Sequence, residues 1–522
     1  MPIKITNQSI KIINLKKNLI YFIIYFFLFS FLILPIWLNK KFGFLYLEQF
    51  IFNLKLVYYG YLDGDSNLVN SAIKWLIIYP IFLSLVLIFV KKIISFFIKY
   101  KNKSIDIIIK KLKLIKKNYY KYKIHKIFII INFFIGKFIF AIIIVSIIFL
   151  FYFFTNFFNK PAKVSNIDFL DLNYEYPNIS SNESNYNLVV LYVESLENTF
   201  SDKNIFGENL IKEISNIKGG KSVKYFYQVP STGYTLSALV STQCGIPLLQ
   251  IRKSFLETIY LQGLNKFLPN LTCLSDILFE HDYENIFVSS DHLDNSLIDK
   301  FLISHKYSKL FGLKELIELG YETSKNAWYN KKSWSGGIHD NVLLEAAIDI
   351  LKNQKNNKKK KNFFMTIMTL DTHSPVGYPN RECLKKIIDE SNLNNYTISE
   401  SIKCTSIYVS NFINEFNRLN LKNTKLIVIG DHLLMKTINS NQRYIYNNFF
   451  VDSKLTIERD YMNYYDLYPS ILEAMNFKIN NEFGKVALGF SIFKKNQKYN
   501  KINFRMNGSS VLYDKFWGIY DK

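Results

Sequence analysis

The apolar residues of this chain crowd its first third and thin out into short runs afterwards, so two kinds of element are expected in succession. Asn18 to Leu38 carries no charge. At about 1.5 Å rise per residue it is long enough to cross a hydrocarbon core about 30 Å thick. A second span is expected from Ala72 to Val90, with Lys74 at one end and Lys91 and Lys92 at the other placed to snorkel. The long run from Ile127 to Phe158 is interrupted by Lys137, which places a third crossing near 138–157. Phe44 to Tyr59 is apolar too, but Glu48 and Lys55 suit an interfacial or packed helix.

From Asn187 the pattern changes. NLVVLYV (Asn187 to Val193), ENIFVS (Glu284 to Ser289), FFMTIMTL (Phe363 to Leu370) and KLIVIG (Lys425 to Gly430) are short, rich in β-branched and aromatic residues, and almost continuously apolar. That is the pattern of strands buried on both faces of a largely parallel sheet. Between them Asn341 to Leu351 and Ser406 to Leu419 have helical spacing. The expected fold class is α/β: N-terminal transmembrane helices, residues 1–158, then a polar linker, 159–186, then a domain with a largely parallel central sheet, 187–522.

Charge adds an orientation. The net charge is +23, and much of the excess sits in the linker 91–126, where Asp106 is the sole acid. Lysines there and at Lys4, Lys11, Lys16 and Lys17 belong on the cytoplasmic side. Three crossings then place everything after Phe158 outside. The basic excess is accounted for by anionic lipid head groups, so no nucleic-acid partner is expected. The first apolar run exceeds a signal-peptide core and lacks a small-residue cleavage site, which reads as an uncleaved anchor. All four cysteines, Cys244, Cys273, Cys383 and Cys404, fall in the exported part, which suits disulfides. Three pairings are open to four cysteines; chain proximity favours Cys244 with Cys273 and Cys383 with Cys404, against the alternative of free buried thiols.

Ligand sites in open α/β sheets gather beyond the carboxyl ends of the strands. Glu194 comes after the first strand, Asp371-Thr372-His373 after the third and Asp431-His432 after the fourth. One such residue would read as a cap or surface group; recurrence along one sheet edge points to a metal. Carboxylates with imidazole suit zinc or manganese, where a calcium site would be built from oxygens alone. Glu194, Asp431 and His432 as ligands leave a position open for a hydroxyl, which would lose its proton more easily there. VPSTGYTLSALVS, Val229 to Ser241, offers hydroxyls at an expected helix start near Tyr234, where Ser or Thr also serves as a cap and where free N–H groups favour phosphate.

The segments NLVVLYVESLENTF, QVPSTGYTLSALVSTQCGIPL, TLDTHSP and LIVIGDH, in this order behind a membrane anchor, resemble the phosphoglycerol transferase I family of the alkaline phosphatase/sulfatase superfamily. Lipoteichoic acid synthase and the lipid A phosphoethanolamine transferases are related. The resemblance covers most of residues 185–495, with YDLYPSILEAMNF and LGFSIF included. It implies an enzyme of the bacterial inner membrane, multi-pass, with its catalytic domain on the periplasmic side. Such an enzyme takes phosphoglycerol from phosphatidylglycerol, holds it covalently on a threonine, and passes it to a glycan acceptor. The matching threonine is Thr232, with Ser231 and Gly233 beside it departing from the usual residues; Thr235 reads as first-turn packing or a secondary hydrogen bond. The implied metal set is Glu194, Thr232, Asp431 and His432, and His373 matches a histidine near the phosphoryl group. Asp340 in WSGGIHDN and His305 in SHKY match substrate-site positions more loosely, with helix capping and a surface histidine as the respective alternatives. Phosphatidylethanolamine as donor is the alternative chemistry, and an anchored structural or adhesion protein the non-enzymatic one. Cys244-Gly245-Ile246-Pro247 lacks the spacing of the motif that activates sulfatases.

Overall fold

The computed structural model describes residues 7–42, 71–93 and most of 169–518, where 181–185, 230–231, 249–265, 295–296, 322–336, 357–360, 496–510 and positions 375, 394, 436, 437, 439 and 441 are not described. Two N-terminal helices form one unit and the residues from 169 onwards another. In the first unit α1 is Asn7–Phe42, whose apolar stretch runs Asn18–Leu34, and α2 is Ser71–Ile93, with a mean hydropathy of 2.4 over its most apolar window. Among the described residues α2 alone is long and apolar enough to cross a membrane by length and composition. The expected crossing at 138–157, the segment Phe44 to Tyr59 and nearly all of the basic linker 91–126 lie outside the described residues.

The second unit is built on a six-stranded sheet: β1 (Asn187–Val193), β2 (Glu284–Ser289), β3 (Lys309–Phe311), β4 (Phe363–Met368), β5 (Thr424–Gly430) and β6 (Asn447–Phe450), in the order β3-β2-β4-β1-β5-β6. All neighbours are parallel except β6, which runs antiparallel to β5. The near-continuous hydrophobicity has its cause in two cores, one on each face. Leu188, Val190 and Tyr192 of β1 enter one core, Val189, Leu191 and Val193 the other; β5 divides in the same way, Ile427 and Ile429 against Leu426 and Val428. Side chains of a strand alternate between faces, so covering both faces requires an apolar residue at every step.

The first core is covered by α3 (Thr235–Cys244) and α6 (Leu467–Ala474), the second by α4 (Asp340–Asn356) and α5 (Ile398–Leu419). The start of α5 is set by a capping box: Thr397 Oγ1 accepts from the Ser399 amide at 3.2 Å, and Glu400 accepts from the Thr397 amide at 2.8 Å. Disulfides join Cys244 at the end of α3 to Cys273, and Cys383 to Cys404 within α5.

Part of the stretch expected to be linker belongs to this unit. Leu170 is fully buried in the first core, and Ile179–Ser180 pair with Lys478–Ile479. Polar composition hid this, because only a few apolar residues of the segment carry its packing. Lys221 is half-buried and donates to the carbonyls of Asp452 and Ser453, both at 3.1 Å.

Candidate active site

Val193 pairs with Gly430 and Tyr192 with Met368, so β1, β4 and β5 end level and deliver the residues just beyond them to one edge. Gly430 allows that convergence: a Cβ there would lie 1.9 Å from the carbonyl oxygen of Leu196. Glu194, Asp431 and His432 come together, each buried, with one ligand atom apiece lying within 4.8 Å of the others. His432 Nε2 is 3.5 Å from Glu194 Oε1 and 3.4 Å from Asp431 Oδ2, longer than good hydrogen bonds. Its Nδ1 donates to the Leu433 carbonyl at 3.0 Å, which in the neutral ring leaves the Nε2 lone pair facing the carboxylates.

The ligating side chains are held by their neighbours. Ser195 Oγ donates to Glu194 Oε1 at 2.6 Å, while the Ser195 and His432 amides both donate to Asp431 Oδ1 at 2.7 Å. Ser195 makes its two bonds from a left-handed backbone, φ 53°, a conformation that costs a non-glycine residue about 1 kcal/mol. The Glu194 backbone is pinned from β4: its amide donates to Thr369 Oγ1 at 3.0 Å and its carbonyl accepts from Thr372 Oγ1. Tyr464 Oη donates to the Asp431 carbonyl at 2.8 Å. Sequence reasoning missed Ser195, Thr369 and Tyr464. The first two adjoin strand ends, which was a usable signal; Tyr464 carried none.

Burial, joined by repulsion from Glu194, pushes the Asp431 carboxyl up to about 7. Burial also works to raise Glu194, but the charges of His432 and His373 and the Ser195 hydroxyl bring it below the ordinary range. For His432 burial opposes the charged form, and the two carboxylates outweigh it and raise the ring. Two buried carboxylates against one imidazole leave an excess of negative charge, and such a group is balanced by a cation. The donor set fits a divalent metal ion.

The hydroxyls of the Val229 to Ser241 stretch are placed differently from the expectation. Thr232 is fully buried and its Oγ1 donates to the Val229 carbonyl at 2.7 Å, closing its own turn. Thr235, the first residue of α3, is half-buried, and its Oγ1 lies 3.3 Å from Asp431 Oδ2. Neither caps the helix. Ser237 does so by turning back on Tyr234, accepting from its amide at 3.3 Å and donating to its carbonyl at 2.7 Å.

His373 lies beyond β4 and is half-buried, with Nδ1 donating to the Ser374 carbonyl at 2.9 Å. Asp371 and Asp340 serve elsewhere. Asp340 Oδ1 accepts from the Leu370 amide at 2.8 Å and the Asp371 amide at 3.1 Å, and its Oδ2 from Thr405 at 2.9 Å. Asp371 accepts from His339 Nδ1 at 3.0 Å and the Asp340 amide at 3.1 Å. Asp340 is therefore a buried brace for the strand-end loop. His305 is not a surface residue: at 1% exposure it packs beside the Cys244–Cys273 disulfide, with Nδ1 2.8 Å from Asp276. Both sulfurs of that cluster are spent in the disulfide, so it holds no metal.

Residues 186–477 match the family described as Sulfatase. The chain is 32% identical over 285 residues to phosphoglycerol transferase I of Citrobacter koseri, a match covering 53% of this chain and 35% of the relative. The matched stretch thus spans about a third of that protein. Among solved structures, a protein in the alkaline phosphatase superfamily from Vibrio parahaemolyticus aligns over 60% of this chain and 73% of its own, at 18% identity and a TM-score of 0.45. The lipoteichoic acid synthase LtaP from Listeria monocytogenes aligns over 60% and 79%, at 16% identity and a TM-score of 0.45.

Proposed function

The chain belongs to the sulfatase family, and within that family we propose that it is a metal-dependent phosphotransferase that moves a phosphoglycerol group from phosphatidylglycerol to a glycan through a phosphothreonine ester. The observation that carries this reading is the Thr235 hydroxyl, half-buried on the first turn of α3 and 3.3 Å from Asp431 Oδ2. Its accessibility separates it from Thr232 and Ser195, both fully buried, because an attacking oxygen must reach phosphorus. The name of the relatives supports the choice of head group.

Glu194, Asp431 and His432 would hold the ion, zinc or manganese by their chemistry. Bound there, a divalent ion acidifies a neighbouring hydroxyl and offsets charge on phosphoryl oxygens. The N-terminus of a helix such as α3 favours the same anionic oxygens. Thr235 Oγ1, its proton passed to solvent, bonds to phosphorus, the bond from phosphorus to the diacylglycerol oxygen breaks, and that oxygen takes a proton from His373. The Ser374 carbonyl on Nδ1 fixes the ring with Nε2 available for the transfer. A sugar hydroxyl then displaces Thr235 Oγ1, which leaves deprotonated as it entered, while the sugar's proton passes to the same imidazole and restores it. A lipid donor remains in its bilayer, so a membrane anchor formed by α2 and its neighbours raises the donor's effective concentration at the site. On this reading the second unit lies on the periplasmic face of the inner membrane.

Mass spectrometry of the purified full chain given phosphatidylglycerol or phosphatidylethanolamine tests this directly. Phosphoglycerol on the Thr235 peptide, lost in Thr235→Ala, is the expected result. Phosphoethanolamine would change the head group, an adduct on Thr232 would move the nucleophile, and no adduct with either lipid would leave the non-enzymatic reading.

A further inference from the structure

Beside the candidate site stands a group of aromatic rings that none of the chemistry above uses. Tyr225 and Tyr227 lie two apart on the strand Tyr225–Tyr227, both half-buried on one face, while Phe226 between them packs inward on Tyr464 at 5.1 Å. Tyr444, also half-buried, meets both: 5.1 Å between ring centroids to Tyr225 and 5.2 Å, edge to face, to Tyr227. The Tyr225 and Tyr227 centroids are 6.4 Å apart.

This trio is fastened to the loops that carry the metal-binding residues. Tyr227 precedes Gln228, whose Oε1 accepts from the Leu433 amide at 2.7 Å, one residue past His432. The Tyr444 carbonyl accepts from the Asn198 amide at 2.8 Å, four residues past Glu194. Arg443 grips the fully buried Glu197, with Nε 2.8 Å from Oε2, and donates to the Leu434 carbonyl at 2.8 Å. A built, rigid support of this kind is what a binding surface needs and what a chance cluster of surface tyrosines lacks.

We propose that Tyr225, Tyr227 and Tyr444 form the subsite for a sugar ring of the acceptor glycan. The negative face of an aromatic ring attracts the weakly positive C–H groups on the flat side of a pyranose, and the sugar's hydroxyls need partners at the rim. The trio supplies both. Its phenols are arranged as a hydrogen-bonded rim: Tyr444 Oη donates to Gln442 Oε1 and is bonded to Tyr227. An acyl chain would match the ring faces but lay its methylenes against that polar rim, which argues against the donor's lipid tail as the occupant. Tyrosine has only two side-chain torsions, so ordering three of them costs little entropy on binding. Held there, an acceptor ring stands next to the loops of Glu194 and His432, where its hydroxyl meets the phosphothreonine.

This subsite rests on the proposed transfer to a glycan, and its test is kept separate from the chemistry. Saturation-transfer NMR is run on the full chain in detergent without lipid donor, against a panel of glucose, galactose, mannose and rhamnose oligosaccharides. At least one is expected to show saturation on its ring C–H protons. Tyr227→Leu and Tyr444→Leu, which keep apolar bulk and remove the ring face, are expected to weaken that sugar's binding about tenfold or more, and Tyr444→Phe, which keeps the ring face and loses one rim hydroxyl, to weaken it by less. A melting curve shows whether each variant is folded; if a leucine variant unfolds, Tyr225→Leu takes its place. No saturation by any sugar of the panel, or saturation unchanged in the folded leucine variants, overturns the subsite. Failure of adduct formation in the wild-type chain, measured without sugar, would instead strike the proposed reaction.

Discussion

Two groups of buried acids sit at the same edge of the sheet and are built for opposite ends. After β4, Asp340 and Asp371 are consumed: backbone amides, Thr405 and His339 contact their oxygens at 2.8 to 3.1 Å. Beyond β1 and β5, Glu194, Asp431 and His432 aim at a common point, and the histidine stays 3.4 to 3.5 Å from both carboxylates. Each group has two acids and a histidine. Composition and burial therefore do not separate brace from site; the difference lies in whether the polar atoms bond to each other or converge around a space.

The largest effect that would sharpen this contrast is expected at the converging group. Glu194→Gln or Asp431→Asn should lower the rate of adduct formation about a thousand-fold and remove bound metal, measured by elemental analysis of purified protein, while the melting temperature falls little. Chelation of the wild type should do the same, and zinc or manganese should restore it. Retained metal in both variants would dissolve the distinction.

At the brace the expected loss is of stability. Asp340→Ala strands two buried amides and a hydroxyl, a cost of about 3 kcal/mol, and should lower the denaturant midpoint with metal content unchanged in the folded fraction. Separating Cys383 from Cys404 by a Cys383→Ser, Cys404→Ser variant should cost a similar amount, about 3 kcal/mol for a loop of this size, read in the same way. Peptide mapping that recovers free thiols from the untreated protein would contradict both disulfides.

The smallest expected effect is a pH dependence. Burial first, and the neighbouring charge of Asp371 second, raise Asp340 well above the ordinary carboxyl value. The folded protein then holds a proton that the unfolded chain releases near pH 4, so this contribution to stability is full below about pH 4 and lost as pH rises through the folded value. Asp340→Asn imitates the protonated form. Its melting temperature relative to wild type should increase with pH over that window, and a flat difference would show that folding does not raise the Asp340 carboxyl.

Much of the edge could be read in the chain. The strand-end positions of Glu194, Asp431 and His432 come from runs whose hydrophobicity marks them as central strands, and a parallel sheet sends their carboxyl ends one way. Thr235 was not separable from Thr232, because both are threonines beside a helix start and only the turn at Val229 shows which hydroxyl is spent inward. For Asp340 and His305 the surroundings were not legible for the same reason: a polar residue within a short motif such as GGIHDN or SHKY has no sequence mark for what will surround it. Residues 169–180 were hidden by the polar composition of the stretch around them, although Leu170 is fully buried and Ile179 pairs with Ile479.

Local pattern was enough to mark the stretches that are apolar on both faces, hence the central strands of a parallel sheet and the acids and imidazoles at their carboxyl ends, because hydrophobic periodicity is written in neighbouring residues. Which of those groups converge and which neutralise one another depended on the folded arrangement. Hydrogen-bond partners come from distant segments, 236 residues apart for Asp431 and Ser195, and distances of a few tenths of an ångström separate a bond from an open coordination point.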